Sequence, residues 1–74
     1  MSVMNLEQFG HICEGVWQDR KSILAGRGPL SDEAALCRAV YWRLCKIGAD
    51  PERELNDYAP LIEKLVGQCR TEAA

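Results

Sequence analysis

Apolar residues recur every three to four positions along three stretches of this chain, and no stretch alternates apolar with polar as a half-buried strand requires. That periodicity commits the chain to amphipathic helices. In the first stretch Leu6, Phe9, Ile12, Cys13, Val16, Trp17, Ile23 and Leu24 fall on one stripe at about 100° per residue. Glu7, His11, Glu14, Gln18 and Ser22 fall opposite. Asn5 followed three residues later by Gln8 has the form of a capping box, so a helix is predicted over 5–25. Gly26 and the Gly28-Pro29 pair end it. Gly10 and Gly15 each weaken a helix by up to about 1 kcal/mol relative to Ala. Both fall towards the polar side, where close helix packing gives them no evident purpose.

The second stretch opens with Ser31 as a cap and with Asp32 and Glu33 in its first turn, where the helix dipole favours negative charge. Arg43 and Lys46 sit near its end and Gly48 lies just beyond, which predicts a helix over 31–47. Its principal apolar face holds Leu36, Cys37, Val40, Tyr41, Leu44, Cys45 and Ile47. Asp50-Pro51 is the next start signal, an acid cap followed by proline at the first helical position. Leu55, Tyr58, Ile62, Leu65, Val66 and Cys69 share one stripe from there onward. A proline inside a helix removes a hydrogen bond and clashes with the preceding turn, at about 3 kcal/mol. The last segment is therefore predicted to be broken or kinked at Pro60, giving helices over 51–57 and 60–70, with 71–74 frayed. The fold class that follows is all-α, a compact three- to four-helix bundle occupying 1–74 as one domain.

Size and charge narrow the function classes. Seventy-four residues leave no room for a nucleotide-binding α/β domain or a barrel, and 47% hydrophobic residues are too many for a disordered chain. Nine Lys and Arg against eleven Asp and Glu give a net charge of −2, which disfavours a strong nucleic-acid binder. No basic leader with an apolar core stands at the start, and no apolar run approaches the roughly 20 residues of a membrane span. The chain is expected to be cytoplasmic, without a membrane partner and with reduced thiols. A core this small supplies roughly 3–5 kcal/mol, so surface buried against a partner would matter.

Cys13, Cys37, Cys45 and Cys69 are separated by 24, 8 and 24 residues, far from the short paired spacings of small zinc sites. All four fall on apolar stripes and read as small buried hydrophobes, with Cys69 the most exposed because it is near the end. No metal and no cofactor is predicted. His11 stands alone on a polar face, and no nucleophile, base and orienting group occur together, so the chain reads as non-enzymatic. Glu52 and Glu54 read as charges on a solvated helix start.

Two residues break the pattern. Arg20 falls inside the first apolar stripe, between Val16, Trp17 and Leu24, and a buried guanidinium needs a partner. Its stem is expected to cover apolar surface while its head reaches water or meets Asp32, Glu33 or Glu63. The other reading makes Arg20 a ligand or partner contact. Trp42 lies away from the principal face of its helix, together with Ala35 and Ala39 and flanked by Arg38 and Lys46. Either the 31–47 helix is central and covered on all sides, or Trp42 marks a face for a partner.

The expectation is a small helical protein–protein interaction module, such as an accessory subunit, regulator or inhibitor. It would bind a protein partner, or a second copy as a homodimer, through Ala35, Arg38, Ala39, Trp42 and Lys46. A helix-turn-helix-like nucleic-acid-binding regulator is the alternative, with the basic residues around Arg20 and Arg38 supplying charge. The acidic start of its recognition helix, Pro51-Glu52-Arg53-Glu54, counts against it. A cysteine-based metal or redox site is the second alternative.

Overall fold

The caps and glycines of the sequence set the boundaries of five helices. They are α1 (Leu6–Gln18), α2 (Arg20–Ala25), α3 (Asp32–Lys46), α4 (Pro51–Asp57) and α5 (Ala59–Ala73), in a computed structural model that describes residues 4–73. At the start of α1 the Gln8 amide donates to Asn5 Oδ1 at 2.8 Å, and the Asn5 amide donates back to Gln8 Oε1 at 3.0 Å. Ser31 Oγ accepts from the Ala34 amide at 3.1 Å, and Asp50 caps α4 with Pro51 in the first turn. Gly28 (φ 61°) and Gly48 (φ 79°) turn the chain in the left-handed region after α2 and α3, where a Cβ would be strained.

The fold is all-α, but it has five helices where three or four were expected, because one stretch predicted as a single helix divides. The stretch predicted over 5–25 separates at Asp19 into α1 and α2. Nothing in the apolar phase marks this point. Asp19 is a poor helix former, and its carboxylate is held from outside the helix by Arg43, Nη2 to Oδ2 2.5 Å. The last segment is broken at Tyr58, between the two helices predicted over 51–57 and 60–70. The Tyr58 amide closes α4 on the Glu54 carbonyl, and the Tyr58 carbonyl accepts from Leu61 at 2.9 Å to open α5. Pro60 thereby falls in the first turn of α5, where its missing N–H removes no helical bond. The end of α5 also continues past 70: Thr71 Oγ1 donates to the Gly67 carbonyl at 2.9 Å, and the helix runs to Ala73. Ala74 lies outside the described residues.

Helix α3 packs against each of the other four. Its Leu36, Val40 and Leu44 are fully buried, together with Phe9 and Val16 of α1. Ile62, Leu65, Val66 and Cys69 of α5 and Met4 complete the core. The Tyr58 ring stacks on Phe9 at 4.7 Å while its hydroxyl donates to the Met4 carbonyl at 2.7 Å, which ties the start of the chain to the α4–α5 junction. Leu6 and Ile47, placed on apolar faces by periodicity, are exposed at helix ends. The radius of gyration, 11.8 Å, is close to the roughly 11 Å of a compact chain of this length.

Gly15 has a purpose after all. The Arg43 side chain crosses α1 at this point on its way to Asp19, and a Cβ on Gly15 would stand 2.6 Å from Arg43 Nη1. Gly10 has no such neighbour.

Glu54 is the core's one charged member among the described residues. It is 2% exposed, not solvated as its place in an acidic helix start suggested, and its Oε2 has no hydrogen-bond partner. It stands four residues before Tyr58, on the buried side of α4. An orphaned buried carboxylate oxygen costs free energy that an isosteric neutral group avoids. Glu54→Gln should therefore fold and melt at the wild-type temperature or higher, with a change between zero and about 1 kcal/mol in its favour. A thermal melt followed by circular dichroism measures this. A loss above about 1 kcal/mol, several degrees in Tm for a domain of this size, would show that the charge itself is held in place.

Candidate functional site

Although α3 is flanked by all four other helices, one strip of it stays bare. Trp42 is 62% exposed, and its ring meets only Tyr41 edge-on among aromatic neighbours, at 5.7 Å and 89°. Arg38, Cys45 and Lys46 stand four residues before, three after and four after it, on the same side of the helix, and all three are exposed. No described acid forms an ion pair with Arg38 or Lys46, whereas Arg43 on the same helix is paired with Asp19.

Two residues of the predicted patch belong elsewhere. Ala35 is 1% exposed, and Ala39 is half-buried against the core. A side chain of one carbon is covered entirely when neighbouring helices close on both flanks of α3, so Ala35 offers no area to a partner. The strip therefore consists of Arg38, Trp42 and Lys46 with the edge of Ala39, and it gains Cys45, which periodicity had placed in the core. The i+3 relation of Cys45 to Trp42 was the available signal.

The cysteines are all free and differ in access. Cys69 is buried, contrary to expectation, because α5 continues past it as a helix. Burial pushes the Cys13 thiol up to about 11 and raises Cys37 and Cys69 as well. Among the described residues no group of three or more His, Cys, Asp or Glu side chains converges as metal ligands would. His11 is exposed beside Glu14, at 4.0 Å.

Arg20 meets none of the acids expected for it. Asp32 is taken by Arg27 at 2.8 Å and Glu33 by Arg70 at 3.6 Å. Instead Arg20 forks onto Glu72 near the end of α5, Nε to Oε1 2.9 Å and Nη2 to Oε2 2.5 Å. Its Nη1 donates to the Trp17 carbonyl at 2.7 Å, and the guanidinium lies 3.9 Å from the centre of the Trp17 ring. The break at Asp19 starts a new helix at Arg20, which a continuous 5–25 helix could not anticipate. The hydrogen bond from Arg20, aided by its charge, holds the Glu72 carboxyl below its usual value. A cavity of about 650 Å³ opens beside this pair, lined by Arg20, Lys21, Leu24, Arg27, Cys69 and Glu72 among others. A smaller one of about 340 Å³ lies between α1 and α5, with Gly10, Cys13, Trp17, Leu61 and Leu65 on its walls.

The fold and these two sites define a small all-α protein. No model of a known family, no curated protein and no solved structure matches the chain. No helix among the described residues is long and apolar enough to cross a membrane.

Two outcomes follow from this geometry. A limiting amount of a maleimide should label Cys45 first, with the half-buried Cys13 and Cys37 slower and the buried Cys69 last; peptide mapping by mass spectrometry reads the order. A chain labelled equally at all four sites would contradict the described burial. The second concerns acid. Glu72 has a lower pKa folded than unfolded, so its pairing stabilises fully above the unfolded value, near 4.3, and the gain is lost as pH falls through the folded value. Glu72→Gln should melt below wild type at pH 7, and the two should converge in acid as the Glu72 carboxylate is protonated.

Proposed function

We propose that this chain is a small non-enzymatic helical module that binds a protein partner through the Trp42 strip of α3. One observation carries the reading. The helix that packs against all four others keeps a tryptophan out of the core, between two cations that form no ion pair among the described residues. Burying an aromatic side chain removes about 150–250 Å² from water, which at about 25 cal/mol per Å² contributes several kcal/mol. Arg38 and Lys46 flank that anchor and favour an apolar partner surface rimmed by acids, which they would also steer into place. The partner is a different protein in this reading. A two-fold contact between copies would bring both pairs of cations onto the same small area. The acidic helix α4, carrying Glu52 and Asp57 at its surface, supports no nucleic-acid reading. Four free thiols suit a reducing compartment, and the cytoplasm is the location we propose.

Trp42→Ala tests this. An exposed side chain contributes little to folding, so the variant should keep its helical content and Tm within about 0.5 kcal/mol. In a quantitative pull-down from the source cell, proteins bound at this face should be retained at least about 30-fold more weakly, the loss of an interface anchor worth 2 kcal/mol. The same partner should shield Cys45 from maleimide. Equal retention by wild type and variant would overturn the reading. So would loss of helicity in the variant, and so would a stable homodimer by sedimentation that Trp42→Ala dissociates, which would make the partner a second copy.

A further inference from the structure

We propose that the cavity beside Arg20 is a binding site for a small dicarboxylate, and that Glu72 occupies its carboxylate subsite from within the chain. This site is independent of the Trp42 strip and uses none of its residues.

The Arg20 guanidinium is a prepared receptor. It is 19% exposed, supported from one side by the Trp17 ring and pinned at Nη1 by the Trp17 carbonyl. The two remaining donor directions, Nε and Nη2, point together, and both end on one carboxylate. That is the bidentate geometry by which arginine recognises carboxylates. The carboxylate in place is poorly secured. Glu72 is 40% exposed and sits one residue before the described end of α5. An exposed ion pair contributes only about 0–1 kcal/mol, so the Glu72 side chain turns out to solvent at low cost.

The space beside the pair is far larger than Glu72 needs. About 650 Å³ lies within the range of small-molecule sites. Its wall carries Lys21, which forms no ion pair among the described residues and whose charge acts on Glu72, and Leu24 and Ala25 supply an apolar stretch beside it. Arg27 adds a third cation, already paired with Asp32. Three cations thus stand against two internal carboxylates, Glu72 and Asp32. A dicarboxylate matches this wall: one end on the Arg20 fork in place of Glu72, its methylenes along Leu24, its other end at Lys21. Cys69 borders the cavity as a buried thiol whose protonated form is favoured by desolvation, so it contributes no nucleophile.

Glutarate is the probe, because it presents the Glu72 carboxylate on a similar stem. In a Trp42→Phe chain Trp17 is the one tryptophan left, and it reports directly on the guanidinium stacked over it. Titration at constant ionic strength should give a saturable change in Trp17 emission. Glu72→Gln in that background should bind at least about 10-fold more tightly, because the internal competitor is gone. Arg20→Gln should abolish the response. Lys21→Gln, at an exposed position where folding is not at stake, should weaken binding several-fold. No saturable response in the Glu72→Gln chain overturns the proposal, as does a response unchanged by Lys21→Gln. Inorganic phosphate binding as tightly as glutarate would also overturn it, by showing that the site reads charge alone.

Discussion

Leu36, Val40 and Leu44 stand at intervals of four on α3 and supply three of the five largest fully buried side chains. The rest of the structure is arranged around that ridge. A 74-residue chain has enough apolar surface for one core, and placing one helix at its centre lets four others share the same buried row. Helix α1 contributes Phe9 and Val16 to it, α5 closes it with Ile62, Leu65 and Val66, and α4 enters through Leu55 and Tyr58. The short helices α2 and α4 are too brief to persist alone, and it is contact with α3 that holds them.

Ion pairs then fix how the outer helices sit. Arg43 reaches from α3 over the bare backbone of Gly15 to Asp19, Arg20 joins α2 to the end of α5, and Arg70 joins α5 to the start of α3. Exposed pairs of this kind contribute roughly 0–1 kcal/mol each. Their effect is on geometry more than on stability. The pairing of Asp19 coincides with the break between α1 and α2, and that break places Arg20 against Trp17 and Glu72, where the pocket forms.

What could be read from the residues alone divides along the same line. Local signals were legible: the Asn5–Gln8 box, the Ser31 and Asp50 caps, and the glycines after α2 and α3 mark helix ends because each acts within three or four residues. Features made by long-range contact were not. The acid at the Asp19 break pairs with Arg43, 24 residues away, and the partner of Arg20 lies 52 residues away. Periodicity gave the wrong accessibility for Cys45, Cys69 and Glu54 because it assigns a face to each residue but not the neighbour that covers it. Ala35 fell into the predicted patch for the same reason, whereas Trp42 stands there exposed.

The exposure of Trp42 is what separates a partner surface from an ordinary helix. A core worth only a few kcal/mol would gain from one more aromatic ring, yet the ring stands in solvent. Its neighbours show why this is tolerable. Arg38 and Lys46 stand on either side of the ring, one turn away in each direction, and in the proposed reading these like charges would oppose a second copy approaching head-on. The same two charges attract a surface that carries acids around an apolar centre. On the proposal that this strip binds a partner, it would discriminate by charge and bind by burial, and the discrimination would be lost if either cation were paired internally, as Arg43 is with Asp19 on the same helix.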